Sequence, residues 1–138
     1  MKRFFMTKNQ SVELILKAAE NARGGETFVL KMPLILLNDL FDVMKEIIAP
    51  NYNLNPSKIK TKIIGIRPGE KITEYLLTDF ELEHVLETND FFIIPSMFDL
   101  SLPKKYRNAK KPKNIKNYFE SLKPITKLEI KNMLRDVY

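Results

Sequence analysis

Apolar side chains recur along this chain in two helix-like stripes and three strand-like runs. Val12, Ile15, Leu16, Ala19 and Ala22 share one helical face over residues 8–22, with a capping-box pattern of Thr7 and Gln10 at its start and Gly24-Gly25 to stop it. Leu40, Phe41, Met44, Ile47 and Ile48 form a second stripe, on a helix that Asn38 would cap and Pro50 would end. Between them, residues 27–30 read as a buried β-branched and aromatic strand closed by Met32-Pro33. After a polar turn over residues 51–56, the isoleucine-rich residues 59–66 read as a second strand. Residues 91–94, between Asn89-Asp90 and Pro95, read as a third. Residues 71–77 and 79–87 read as short helices, the latter begun by Thr78-Asp79. Three short strands with four to five helices predict an α/β domain, and the helix-sized connections predict parallel pairing.

The 138 residues suffice for one domain with its own core, and 44% hydrophobic with 29% charged residues is an ordinary globular balance. No apolar run approaches the roughly 20 residues of a membrane span, and Lys8-Asn9-Gln10 ends the first apolar run short of a signal-peptide core. With zero cysteines, disulfides and thiolate metal sites are excluded, which fits a cytoplasmic chain. The net charge of +6 is unevenly placed: residues 1–100 hold 12 basic and 14 acidic side chains, residues 101–138 hold 11 and 3. Residues 104–116 carry seven of those cations without an acid and read as a basic linker or arm between a main domain, residues 1–103, and a helical segment, residues 117–138. In that segment Thr126 and Glu129 form another capping-box pattern, and Leu128, Leu134 and Val137 can dock. The arm has one aromatic, Tyr106, and no recognition-helix pattern, so a solvated linker is favoured over a contact with nucleic acid or another polyanion.

Candidate chemistry gathers at Gly65-Ile66-Arg67-Pro68-Gly69-Glu70-Lys71, read as a strand-to-helix crossing. Pro68 fixes its own φ and extends Arg67, and Gly69 lets the backbone turn. A guanidinium at a helix start suits a phosphate or pyrophosphate. Glu70 and Glu74 would repel such an anion unless they face hydroxyls of a ribose or sugar. The sole histidine, His84, stands beside Glu83 and Glu87, and the pairs Asp79/Glu83 and Glu83/Glu87 read as a solvated helix face. No cluster has metal-ligand spacing, and no catalytic residue is assigned.

Arg67-Pro68-Gly69-Glu70-Lys71 with Glu74 and Leu76-Leu77-Thr78 resembles the C-terminal, substrate-binding part of the polysaccharide-biosynthesis nucleotide-sugar 4,6-dehydratases and epimerases, within the extended short-chain dehydrogenase/reductase superfamily. Arg3-Phe4-Phe5-Met6-Thr7 with residues 12–19, then Gly24-Gly25 with residues 26–33, match that family in the same order, so the resemblance covers residues 2–98. It implies a UDP-N-acetylglucosamine-type substrate, oxidised at the sugar C4 by NAD(P). It also implies Arg3 and Arg67 as a clamp on the substrate pyrophosphate, and Glu70 on a ribose or sugar hydroxyl. The family's nucleotide-binding machinery is missing: the four glycines, at 24, 25, 65 and 69, form no Gly-rich loop. The one Tyr-x-x-x-Lys, Tyr106 to Lys110, lies in the basic arm with no strand ahead of it. No cofactor site is therefore expected here; NAD(P) is expected in a separately encoded Rossmann-domain partner, or the chain is a self-associating binder of nucleotide sugars. An interaction module using the basic arm is the rival reading. Cutting a two-part enzyme would bare apolar residues at the junction, for which Met1, Phe4, Phe5, Met6 and Phe28 are the candidates, unless Phe4 and Phe5 fold back onto the first helix.

Overall fold

The computed structural model describes residues 1–96, 106, 108–113 and 117–135. In chain order the elements are β1 (Lys2–Phe4), α1 (Lys8–Asn21), β2 (Thr27–Leu30), β3 (Leu34–Leu36), α2 (Leu37–Ile48), two 3-10 turns (Ala49–Tyr52 and Pro56–Lys58), α3 (Asp79–His84), β4 (Leu86–Glu87), β5 (Phe91–Ile94), α4 (Tyr118–Ser121) and α5 (Lys127–Arg135). The class is α/β. The chain forms two compact units, one from residues 1–7, 33–74 and 123–138, the other from residues 8–32 and 75–122.

In the first unit β1 and β3 pair antiparallel, with Arg3 opposite Ile35, and α2 follows β3 without a loop. The residue at the helix cap is Leu36, with no side-chain hydrogen bond, so Asn38 lies inside the helix and is not its cap. Pro50 does end it, in a 3-10 turn closed by the left-handed Asn53 (φ 55°). On α2 the side turned inward is Leu40, Val43, Met44 and Ile47; Phe41, assigned to the stripe, is 44% exposed. The Thr126–Glu129 capping box forms as expected: the Glu129 carboxylate accepts the Thr126 N–H at 2.7 Å, and the Thr126 hydroxyl accepts the Glu129 N–H at 3.3 Å. The helix it opens, α5, buries Ile130 and Leu134 against Ile35 and Val43, with Phe5 and Ile125 alongside. Leu128 is 65% exposed, and Val137 lies outside the described residues. Lys127 donates to Asp42 at 2.7 Å and Lys131 to Glu46 at 3.2 Å. Lys127, then Lys45, holds the Asp42 carboxyl at about 2.

The second unit is built on a three-stranded sheet in the order β2-β5-β4. Leu86, Phe91 and Ile93 form its core with Leu14 and Ala18 of α1, Phe28, Leu30 and Tyr106. Phe92 packs edge-to-face on Tyr118 and Phe119, and the Lys31 ammonium lies 5.0 Å from its ring centre. Thr78 begins α3 with a full capping box to Glu81. Of the residues expected in a basic arm, Lys110 forms a backbone bridge with Glu87, while 104, 105, 107 and 114–116 lie outside the described residues.

Every strand pair is antiparallel, which corrects the expected parallel sheet. For β4 and β5 the cause is local: Leu86 and Glu87, expected within a helix over 79–87, instead leave α3 at the extended Val85 and turn into β5 through Thr88-Asn89-Asp90. Three residues allow a hairpin and no parallel crossover. Residues 59–66, expected as a strand, find no partner; they are exposed, and residues 60–66 make no backbone hydrogen bond among the described residues. Strand preference is realised only against a neighbouring edge. Nor do residues 71–77 form a helix. The strand β2 is half-buried, with Thr27 exposed. In α1 the apolar face of Val12, Ile15, Leu16, Ala19 and Ala22 is exposed, and Leu14 and Ala18 fill the core.

Ile130→Ala should therefore cost about 2–4 kcal/mol of unfolding free energy, while Leu128→Ala changes it by less than about 0.5 kcal/mol; urea denaturation of the two variants measures both.

Candidate functional site

Arg67-Pro68-Gly69-Glu70 forms a tight turn. The Glu70 N–H donates to the Arg67 carbonyl at 3.1 Å, and the Arg67 N–H donates to Glu70 Oε2 at 2.9 Å. Proline at the second position and glycine at the third, with φ 85° at Gly69, is the pattern of a type II turn. All four residues are exposed. Because residues 71–77 are not helical, no helix mouth stands here, and the dipole and free N–H groups expected of one are not available to a ligand. What remains is the Arg67 guanidinium, which has no hydrogen-bond or ion-pair partner among the described residues, and the second Glu70 carboxylate oxygen, Oε1.

Arg3 is placed differently. Its Nη1 donates to the Lys2 carbonyl at 2.7 Å and its Nη2 to the Lys71 carbonyl at 2.8 Å, while Nε lies 3.8 Å from Glu74 Oε1. The Lys2 N–H donates to the Ile72 carbonyl at 2.8 Å, so β1 holds the segment that leaves the turn. Each terminal guanidinium nitrogen of Arg3 keeps one N–H for another acceptor. The structure thus brings Arg3 into the same unit as the turn, fastened just beyond it, and leaves the Arg67 side chain without a partner among the described residues.

A dinucleotide does not fit the glycines present. Gly24 and Gly25 follow a helix where a phosphate loop must precede one. At Gly65 and Gly69 an added Cβ would meet none of the chain's own described atoms within 4 Å. The Tyr106 hydroxyl is engaged by Glu26 Oε1 at 2.8 Å and pushed up to about 12, by burial and then by that carboxylate.

The sequence did not reveal the cavity beside this tyrosine, about 260 Å³, lined by Asn21, Phe28, Asn89, Asp90, Tyr106 and Asn108 among others. Burial works to raise the Glu26 carboxyl, but the N–H groups of Arg23 and Gly24 and the Tyr106 hydroxyl together hold it below the usual carboxylate range. Its Oε2 is buried without a partner among the described residues. Tyr106 and Glu26 are 80 positions apart, and no local pattern announces their pairing.

A sequence profile of the family described as polysaccharide biosynthesis protein matches residues 1–96. The chain belongs to that family. Within the polysaccharide biosynthesis family it is 46% identical over 94 residues to an uncharacterized membrane protein of Methanocaldococcus jannaschii, covering 68% of this chain and 28% of the relative. It is 31% identical over 94 residues to the UDP-N-acetylglucosamine 4,6-dehydratase (inverting) of Campylobacter jejuni, covering 68% and 25%. Over 137 residues it is 31% identical to a UDP-glucose 4-epimerase of Rickettsia typhi, covering 97% and 38%. The X-ray structure of Pen from Bacillus thuringiensis superposes with a TM-score of 0.75 at 40% identity, covering 99% of this chain and 38% of that one. The chain thus corresponds to part of a dehydratase- or epimerase-like protein and spans well under half the length of these relatives. Among its described residues no helix is long and apolar enough to cross a membrane.

Two outcomes follow from these contacts. Arg3→Lys loses the paired bonds that fasten the turn's exit, and should speed tryptic cleavage after Lys71 several-fold relative to cleavage after Lys62, read by mass spectrometry. A raised tyrosine pKa stabilises the fold fully below the ordinary value near 10 and loses that contribution as pH rises through about 12. Alkaline denaturation in that window should be shallower for Tyr106→Phe than for the unmodified chain, with Tyr118, also pushed up to about 12, supplying the rest.

Proposed function

We propose that this chain is the substrate-binding, C-terminal part of a nucleotide-sugar dehydratase or epimerase of polysaccharide biosynthesis, acting in the cytoplasm on a UDP-N-acetylglucosamine-type substrate. The observation that supports the reading most is the Arg67 guanidinium: exposed, without a partner among the described residues, and carried on a proline- and glycine-defined turn. Five N–H donors on one rigid fork suit the oxygens of a diphosphate through charge-assisted, bidentate bonds. The remaining N–H groups of Arg3 supply further donors from the anchored side, and Glu70 Oε1 accepts a hydroxyl of the ribose or sugar.

Residues 1–103 carry these contacts. Their task is to bind and orient the substrate; the hydride acceptor NAD(P), and the groups that move protons and hydride, belong to a nucleotide-binding half. That the chain spans only 25% and 38% of the dehydratase and epimerase relatives supports that division, as does the place of Gly24 and Gly25 after a helix and not before one.

UDP-N-acetylglucosamine at about 100 times its dissociation constant should stabilise the chain by about 2.7 kcal/mol, seen as a rise of several degrees in Tm. Free N-acetylglucosamine should give far less, and Arg67→Ala should remove the shift. No shift at any concentration, with a shift from an oligonucleotide, would overturn the reading in favour of a polyanion-binding module. Turnover of the sugar nucleotide by this chain alone would overturn the assignment of chemistry to another half.

A further inference from the structure

The cavity beside Tyr106 lies wholly within the second unit, with walls from the end of α1, from β2, from the turn into β5 and from Tyr106 with Asn108. One part of the wall is aromatic. Phe28, expected at an enzyme junction, instead meets Phe91 edge-to-face at 5.4 Å between ring centres and Tyr106 at 6.2 Å. The Tyr106 ring is fixed from outside the lining, because its hydroxyl donates to Glu26 Oε1 at 2.8 Å. The other part of the wall is three exposed carboxamides, Asn21, Asn89 and Asn108. Those of Asn89 and Asn108 have no partner among the described residues. Asn21 donates one N–H to the Lys17 carbonyl at 2.7 Å and keeps the other, together with its oxygen. The one acid of the described lining is Asp90, whose carboxylate lies 3.8 Å from the Lys17 ammonium; that ammonium also pairs with Glu13 at 3.1 Å. No lysine or arginine belongs to the described lining.

We propose that this cavity is a binding site for a neutral saccharide, holding one pyranose ring. Each carboxamide donates and accepts hydrogen bonds at once, as each hydroxyl of a sugar does, so three of them around one space can serve several hydroxyls together. The rings of Phe28 and Tyr106 supply apolar surface for the C–H face of a pyranose. A few placed polar groups beside an apolar wall is the general pattern of a small-molecule site. Charge selects against ions. A phosphate would meet no cation in the described wall, and an ammonium would meet a carboxylate that Lys17 already faces. Size selects the single ring: the cavity, about 260 Å³, is many times the ~30 Å³ share of one water and falls just short of the roughly 300–1,000 Å³ of sites for drug-sized ligands. The proposal goes beyond the function proposed above, since Arg3, Arg67 and Glu70 belong to the first unit and contribute nothing to this lining.

The test is a heteronuclear NMR titration of the isotope-labelled chain with three neutral probes: methyl β-glucopyranoside, methyl β-galactopyranoside and methyl α-mannopyranoside. At least one should move the side-chain amide signals of Asn21, Asn89 and Asn108, with a dissociation constant in the millimolar range, and leave those of Asn9 and Asn38 in place. Asn89→Ala and Asn108→Ala, at exposed positions without partners among the described residues, should each weaken that binding about tenfold with Tm unchanged; Asn9→Ala should not weaken it. Silence with all three glycosides would overturn the proposal. So would movement of the same signals by tetramethylammonium chloride or by sodium phosphate, which would assign the cavity to an ion. Arg67→Ala keeps this proposal apart from the function proposed above: it should remove the thermal shift given by UDP-N-acetylglucosamine and leave glycoside binding intact. Loss of glycoside binding in Arg67→Ala would assign the sugar to the turn and overturn the cavity site. Glycoside binding in a chain that shows no thermal shift with UDP-N-acetylglucosamine would support the cavity site and sink the substrate assignment alone.

Discussion

Phe91, Phe92 and Ile93 are buried one after another on a strand of four residues, and consecutive side chains of a strand point to opposite faces. Both faces of β5 must therefore be covered. Leu14, Ala18, Phe28 and Tyr106 cover the Phe91 and Ile93 side; Tyr118, Phe119 and the Lys31 ammonium cover the Phe92 side. Each such side chain removed from water contributes about 2 kcal/mol, which explains why a sheet this short draws in a helix that precedes it and residues that follow it. The polar group this brings close to the core is satisfied: Glu87 Oε1 accepts from Lys31 at 2.7 Å and from Tyr118 at 3.1 Å.

Locally encoded features were legible in the sequence. The span of α1 follows from its periodicity and the Gly24-Gly25 stop, β2 and β5 from short runs of β-branched and aromatic residues, the start of α3 from Thr78-Asp79 and α5 from the capping box at Thr126. Partners were not legible. Strands β1, β3 and β4, of three, three and two residues, are shorter than any window over which alternation can be read. Residues 59–66 have strand composition and no neighbouring edge to pair with among the described residues. On α1 the periodicity shows which apolar residues share a face and not which face the sheet meets: Leu14 and Ala18 meet it, while Val12, Ile15 and Leu16 are exposed.

The candidate site divides along the same line. Its turn was readable because Pro68 and Gly69 act on their own dihedral angles. The role of Arg3 was not, since it depends on a carbonyl 68 positions away. That contact also changes what an arginine at this position does. A guanidinium bonded to two backbone carbonyls with a carboxylate nearby is oriented before any ligand arrives, so its remaining donors lose less freedom on binding than those of an unrestrained side chain. The Arg67 guanidinium, by contrast, has no partner among the described residues.

The first unit is assembled from residues 1–7, 33–74 and 123–138, and its core joins Ile35 and Val43 to Ile130 and Leu134. A ribosome delivers these pieces in order, so the part of this cluster that α5 completes stays open while residues 49–126 are being made. Contacts this distant in sequence close late, because the intervening chain must be ordered before they form. Among the described residues α5 is thus the last piece of this core to emerge, and a nascent chain halted before it presents an open apolar face to chaperones and to its neighbours on the same messenger.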